Sequence, residues 1–435
     1  MTTRPNILFI FSDQQNWQAV GFEDPTFQSP NMDRIASEGI IFTESFCTTP
    51  QCSPSRSSMM TGLYPSKTGV MGNIGQAGGP PLKHPTIGLA LQKAGYRTAY
   101  YGKWHLGKDA IGTAGWDDNF GVIGPETNND NEVTRRAQQF LENNKNSDQP
   151  FALFLSYTNP HDIYHFNKEK NLRPTKKISL PATWYNKDFS KVPDIQKQFM
   201  REDQGKVIVD LEAPAWERYR EIYREKVKLY DDELGKVYHC LQSIGKDDST
   251  LVLLTSDHGD MDTHHRLIYK GPFMYDQMMR VPLVIKLPKY YQNSNSSKTI
   301  NFPTVNVDLV PTLADFSGII IPSLDGLSLK PLLIGEGGCP KREFIIGEYY
   351  SKQNWVNPIR MIRNHKFKLN LYYGNRIELY DIEADALETN NCANDEKYKK
   401  DIAELTSKLE SWMKQRNDPF FSQTPTTRDG KTLLQ

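Results

Sequence analysis

The chain opens on an unbroken apolar run, Asn6-Ile7-Leu8-Phe9-Ile10-Phe11, that stops abruptly at Ser12-Asp13-Gln14-Gln15. A run without alternation marks a strand buried on both faces of a parallel sheet. Three further strands repeat the design, each handing an apolar run on to polar residues. Thr98-Ala99-Tyr100-Tyr101 leads into Gly102-Lys103-Trp104-His105, and the run from Phe151 to Tyr157 leads into Asn159-Pro160-His161-Asp162. Thr250-Leu251-Val252-Leu253-Leu254 delivers Thr255-Ser256-Asp257-His258-Gly259-Asp260, and the segment from Pro282 to Lys286 predicts one more strand. Helical spacing falls between them, over 31–39, 86–94, 216–244 and 307–316. This alternation predicts an α/β fold with a large, mainly parallel sheet flanked by helices. Residues 164–213 are polar, Lys-rich and weakly periodic, and read as an irregular insertion over the face of the core.

From about Glu343 the texture changes to shorter strands, 344–349, 366–373 and 377–380, with a charged helix near 397–414. That pattern predicts a smaller C-terminal antiparallel sheet with a helix packed on it, dividing the chain into a catalytic α/β domain 1–340 and an α+β subdomain 341–435.

Ligands of open α/β sheets bind outside the carboxyl ends of the strands. Asp13-Gln14, Lys103 with His105, His161, and Asp257-His258 therefore share one face. A single Asp at a strand end is commonly a turn former or cap, and a single Lys or His is commonly structural. Four strand ends that together carry His, Lys and Asp are poorly explained that way. Asp13 and Asp257, with Gln14 and His258 beside them, offer oxygen and imidazole ligands to one divalent cation. The oxygen donors favour Ca²⁺ or Mg²⁺, and His258 leaves Mn²⁺ or Zn²⁺ open. Lys103, His105, His161 and Lys270 are the acid–base and anion-binding candidates. His264 and His265 follow the metal-site strand closely enough to reach the pocket, and His265 and Asn73 are further substrate-binding candidates.

One loop-to-helix stretch, from Thr48 to Gly62, carries Cys52-Ser53-Pro54-Ser55-Arg56. Ser53 reads as the N-cap, Pro54 suits the first turn, and Gly62 ends the helix. Cys52 then stands just before a helix N-terminus, where free N–H groups and the dipole favour an anion, with Arg56 one turn on.

Lys+Arg and Asp+Glu are both 52, so the net charge is zero, which argues against a non-specific nucleic-acid or membrane-surface binder. Five scattered cysteines without a C-x-x-C pair suit neither a disulfide framework nor a zinc ribbon. The N-terminus lacks the regions of a signal peptide, and no apolar run approaches transmembrane length. The expected compartment is cytoplasmic, or periplasmic or secreted if a signal peptide has been removed.

Together these residues resemble a known family. Cys52-Ser53-Pro54-Ser55-Arg56 with Thr61-Gly62 is similar to the signature of the formylglycine-dependent (type I) sulfatases of the alkaline phosphatase superfamily. The resemblance spans nearly the whole chain and includes Asp13, Lys103-Trp104-His105-Leu106-Gly107, Ser256-Asp257-His258-Gly259, Lys270-Gly271 and Glu378-Leu379-Tyr380-Asp381. It implies that a formylglycine-generating maturation enzyme converts Cys52 to formylglycine, whose hydrate is the nucleophile and forms a covalent sulfo-enzyme. It further implies a Ca²⁺ (alternatively Mg²⁺ or Mn²⁺) held by Asp13, Asp257, His258 and residue 52, with Gln14 at a further ligand position. Arg56 would hold the hydrate, Lys103 and Lys270 the sulfate oxygens. His161 and Lys270 would protonate the leaving alcohol, and His105 would act as base. Two positions depart from many relatives: Gln14 replaces a second Asp, and His258 replaces Asn. The expected activity is hydrolysis of a sulfuric ester, with a sulfated small molecule or glycan as partner. A phosphonate monoester or phosphodiester hydrolase is the alternative, and a non-catalytic binding protein is the third reading.

Overall fold

The computed structural model describes residues 4–122, 129–169, 172–176, 178–292, 298–336, 341–374 and 376–432, so Cys339 lies outside the described residues. Among the described residues fourteen strands run in chain order as β1 Asn6–Asp13, β2 Ile40–Phe42, β3 Ser45–Phe46, β4 Arg97–Lys103, β5 Asp118–Val122, β6 Phe151–Pro160, β7 Thr250–Ser256, β8 Leu283–Lys286, β9 Thr299–Ile300, β10 Thr304–Val305, β11 Ile345–Lys352, β12 Trp355–Arg363, β13 Phe367–Tyr372 and β14 Arg376–Asp381. Eight form one sheet in the order β5-β4-β6-β1-β7-β8-β2-β9. β1 pairs in parallel with β6 and β7, and β6 with β4. β8 alone runs antiparallel to its neighbours β7 and β2.

Every residue of β1 is buried. Leu8 and Ile10 face a layer built on the helices Asp130–Asn143 and Ala213–Ser243, whereas Ile7, Phe9 and Phe11 face a layer that includes Met59, Leu91 and Leu313. Side chains two apart share a face, so an unbroken apolar run feeds two cores at once. The parallel pairing brings the ends of β4, β6, β1 and β7 to one edge.

The C-terminal sheet is antiparallel in the order β11-β12-β13-β14. The helix Lys399–Gln415 buries Leu405, Leu409, Trp412 and Met413, the i, i+4, i+7, i+8 stripe expected of one packed face.

Three differences from the sequence reading have clear causes. The insertion at 164–213 is not wholly irregular, because Asp194–Glu202 is a helix that buries Gln196, Phe199 and Met200 on one stripe. β12 is absent from the sequence pattern because Pro358 interrupts it, and the fold accommodates the proline at a register shift: Tyr349 faces Ile359, but Ser351 faces Val356. The reactive helix begins at Cys52 itself, with Gln51 as its N-cap, not Ser53.

Candidate active site

The helix Cys52–Thr61 is buried along its length and closes on Gly62, whose φ of 72° is the left-handed conformation glycine adopts most readily. Its first turn is held from outside. Asn73 Oδ1 accepts from the Ser53 backbone N–H at 3.0 Å, and the Ile74 N–H donates to Ser53 Oγ at 3.2 Å. Asn73 therefore fixes the helix start, and no hydrogen bond joins it to Cys52 among the described residues.

β4 carries Lys103 to the same place. Gly102 is required there, because a Cβ would lie 1.9 Å from the Ser156 carbonyl oxygen of β6. His105, two residues on, has φ 55°, and Gln14 after β1 has φ 74°. Such backbone is costly for residues with a Cβ and gathers at functional sites. At the end of β6 the Asp130 carboxylate accepts from the N–H groups of Thr158 and Asn159 at 2.7 and 3.0 Å, which steadies the chain just before His161.

Around Cys52 Sγ the distances are short. Lys270 Nζ lies at 3.0 Å, His258 Nε2 at 3.3 Å, Asp13 Oδ1 at 3.7 Å and Lys103 Nζ at 3.8 Å. Cys52 also acts on the His105 and His161 imidazoles, favouring their protonated forms. Lys103 Nζ pairs with Asp13 Oδ2 at 2.6 Å. Lys270 Nζ donates to Gln14 Oε1 at 2.7 Å and sits 3.1 Å from His258 Nε2. Its ammonium lies 5.5 Å from the centre of the Tyr164 ring, which stacks on Tyr269 at 4.2 Å.

Arg56 is only 1% exposed, and its fork ties the carboxylates together. Nε donates to Asp257 Oδ2 at 2.8 Å, and one Nη donates to Asp13 Oδ2 at 2.9 Å. The other Nη donates to the Lys103 carbonyl at 2.5 Å and to Ser156 Oγ at 2.7 Å. The geometry thus makes Arg56 the brace of the two carboxylates.

The electrostatics follow from burial among cations. Burial by itself raises the Cys52 thiol, yet Lys103, Lys270, His258 and His105 outweigh it and hold the group well below its ordinary value. Burial and Cys52 push the Asp13 carboxyl up, but Lys103, His161 and Arg56 prevail and keep it below the usual carboxylate range. Burial and Lys103 press His161 down to about 4, and burial likewise lowers His105. Burial opposes the Lys270 ammonium, but Cys52, Asp13 and Asp257 raise it above the ordinary lysine value. This pocket is tuned to receive an anion.

Asp13, Cys52, Asp257 and His258 present ligand atoms that all lie within 4.8 Å of one another. His258 Nδ1 is 3.0 Å from the Gly259 carbonyl, which turns the Nε2 lone pair into the cluster. Gln14 Nε2 donates to Asp260 Oδ2 at 2.7 Å and leaves Oε1 facing inward. Two buried carboxylates, an amide oxygen and an imidazole so oriented fit a divalent cation.

The sequence-predicted residues thus converge, except Asn73, His264 and His265. His265 is buried against Tyr275, ring on ring at 4.0 Å, and lines a separate small cavity with Lys187 and Glu388. His264 likewise points elsewhere, with Nδ1 3.2 Å from Thr183 Oγ1. Left-handed backbone at Thr263 and His265 redirects both rings from the path a regular turn would give. Ser156, Asp260 and Lys352 are partners the sequence reading missed. Lys352, at the end of β11, donates to the Lys270 carbonyl at 2.8 Å, and burial lowers it to about 7. Ser156 and Asp260 sit beside recognised positions, whereas Lys352 carries no local signal.

A buried anion pocket with two lysines, two neutral imidazoles and a divalent-cation cluster, set at the strand ends of an α/β sheet, defines a hydrolase of anionic esters. Residues 5–319 match the family model "Sulfatase", and residues 264–415 match "N-sulphoglucosamine sulphohydrolase, C-terminal". The chain belongs to the sulfatase family of the alkaline phosphatase superfamily and is a sulfuric ester hydrolase. It is 28% identical to an N-acetylglucosamine-6-O-sulfatase of Bacteroides thetaiotaomicron, over 100% of this chain and 91% of that one. It superposes on a 2-O GAG sulfatase with a TM-score of 0.86 and 26% identity, covering 98% of this chain and 95% of that one. A phosphonate monoester hydrolase of Agrobacterium radiobacter shares the fold, with a TM-score of 0.78 at 22% identity over 99% of this chain and 100% of that one.

Proposed function

We propose that the protein removes sulfate from a sulfated carbohydrate, with residue 52 as nucleophile after its oxidation to formylglycine by a maturation enzyme. The observation that carries this reading is the start of the helix Cys52–Thr61, where Lys270, Lys103 and the His258 imidazole converge on Cys52 Sγ. Formylglycine would supply there a hydrated aldehyde, with one hydroxyl to attack sulfur and a second whose deprotonation releases sulfate. The proposed ion is Ca²⁺, with Mg²⁺ or Mn²⁺ as alternatives, held by Asp13, Asp257, His258, residue 52 and Gln14; bound, it would polarise oxygen as a Lewis acid.

The chain's own groups divide the remaining work. Lys103 and Lys270 lie against Cys52 Sγ and are placed to neutralise charge growing on the sulfate oxygens. Asp13 and Asp257 hold the Lys270 ammonium charged whether or not residue 52 is a thiolate, whereas burial and Lys103 leave His161, lowered to about 4, neutral near pH 7. Lys270 is therefore the proton donor to the leaving oxygen in the resting enzyme, and His161 orients that oxygen. His105, also lowered, is a neutral base for the proton that leaves residue 52. Arg56 contributes by bracing Asp13 and Asp257.

Carbohydrate as the substrate class is supported by the relatives that act on glucosamine and glycosaminoglycan sulfates. The test is release of inorganic sulfate from defined sulfated mono- and disaccharides by matured protein. Gln14 and His258, together with the shared phosphonate-hydrolase fold, support a second reading as a phosphonate monoester or phosphodiester hydrolase. Parallel turnover of aryl sulfate, aryl phosphonate and aryl phosphodiester separates the two, and faster turnover of either phosphorus ester sinks the sulfatase reading.

A further inference from the structure

Away from Cys52, a cavity of about 170 Å³ opens between the helix Asp194–Glu202 and the turn at Arg266. Its walls are Phe189, Met200 and Trp216, and its cations are Lys197, Arg201 and Arg266. All three cationic side chains are exposed, and none makes a hydrogen bond or ion pair with any described residue. Some exposed cations elsewhere are matched, as Arg135 is by Glu132 and Lys228 by Asp232. Lys197 and Arg201 stand four apart on one helix face, a like-charge spacing that weakens a helix.

Arg266 completes the cluster from a backbone with φ 54°, and its guanidinium is laid over the Trp184 ring at 4.3 Å. Strained backbone and a stacked guanidinium fix the direction of this charge. Three unmatched cations around an apolar wall suit a ligand with both an anionic group and a carbon face. The volume is below that of a whole-ligand pocket, so it suits one anionic group and part of a ring. Arg266 belongs to the same turn that carries Lys270 four residues later.

We propose that this cavity is a second anion subsite, which holds a sulfo or carboxyl group of a polyanionic sugar chain apart from the group hydrolysed at residue 52. The choice of a sugar chain rests on the sulfated-carbohydrate reading above. The subsite gives the enzyme a grip on chains that a monosaccharide sulfate does not use.

The test compares the full chain with the triple variant Lys197→Gln, Arg201→Gln, Arg266→Gln. Binding of a heparin hexasaccharide to the unmatured proteins is measured by calorimetry at low and moderate salt, beside an oligothymidylate of equal charge. The expected result is salt-sensitive hexasaccharide binding that the variant weakens about tenfold, the size expected from losing three exposed ion contacts. Matured forms should turn over 4-nitrophenyl sulfate equally. Equal hexasaccharide affinity in both proteins, no binding by the wild type, or equally tight oligothymidylate binding that the variant also weakens would each overturn the subsite. A matured wild type that hydrolyses no sulfate ester would instead refute the proposed function, and the binding comparison, made on the Cys52 form, would still decide the subsite.

Discussion

Replacing Arg56 by Met keeps most of the stem beside the Phe11 ring, which lies 5.2 Å from the guanidinium, and removes the fork. Asp13 and Asp257 each lose an ion pair, at 2.9 and 2.8 Å, and all four groups that accept from the fork are buried. Asp13 keeps Lys103 at 2.6 Å, so the cost falls mainly on Asp257, where removing one partner of a buried ion pair costs about 3–5 kcal/mol. Urea unfolding of the two proteins at pH 7 with a chelator present measures that difference. The pH dependence adds an internal check. In the wild type the Asp13 carboxyl sits below its unfolded value, so it stabilises the fold above that value and loses this only as pH falls through the depressed folded value. Burial and Asp13 already raise the Asp257 carboxyl against His258 and Arg56; without the guanidinium it rises further, and its protonation relieves part of the penalty in mild acid. The gap between the two proteins is therefore larger at pH 7 than at about pH 5. A loss under about 1 kcal/mol, the size of an exposed pair, or a gap that widens on acidification would refute the brace.

Other expectations follow from the same geometry. Lys270→Met should lower kcat on a sugar sulfate by about 10²–10⁴, with a smaller loss on 4-nitrophenyl sulfate, whose leaving group needs no proton; equal losses would remove Lys270 as the acid. Lys352→Met removes a charged hydrogen bond to the Lys270 carbonyl, and about 1.5–3 kcal/mol of support for that segment should go with it, read as a fall in kcat at unchanged fold by circular dichroism. Lys352 is lowered to about 7, so the unfolded chain binds more protons above that pH and wild-type stability gains from this group as pH rises from about 7 towards 10. The Met variant should lack that gain in urea titrations. Ca²⁺ at about a hundred times its Kd should add about 2.7 kcal/mol to the unfolding free energy, and His258→Ala should abolish most of it; stabilisation that survives in the variant would place the ion elsewhere.

Much of this site was legible before any coordinates, because apolar runs ending in Asp13, Lys103, His161 and Asp257 are a property of strands buried on both faces. A parallel sheet then has no choice but to bring those ends together. What stayed hidden depends on pairing between distant segments. Ser156 meets Arg56, and Lys352 meets Lys270, only because β4 lies on β6 and the end of β11 reaches the pocket. Asn73 reads as a ligand-binding amide but is consumed by the Ser53 N–H and by Gln51 Oε1 at 3.2 Å. His265 has the right distance along the chain and the wrong direction, which its left-handed backbone decides. The helix Asp130–Asn143 was readable in principle, since Val133, Ala137, Phe140 and Leu141 form its buried stripe, but its polar remainder masks them.

Residue 52 carries the proposed chemistry. Protein produced with a maturation enzyme is to be assayed for inorganic sulfate released from glucosamine-6-sulfate and from a sulfated disaccharide, beside Cys52→Ala prepared in the same host and beside an aryl phosphonate and an aryl phosphodiester. The expected result is sulfate release by the matured protein, none by Cys52→Ala, and slower turnover of both phosphorus esters. Sulfate release that survives in Cys52→Ala, or phosphorus-ester turnover that exceeds it in the matured protein, would contradict it.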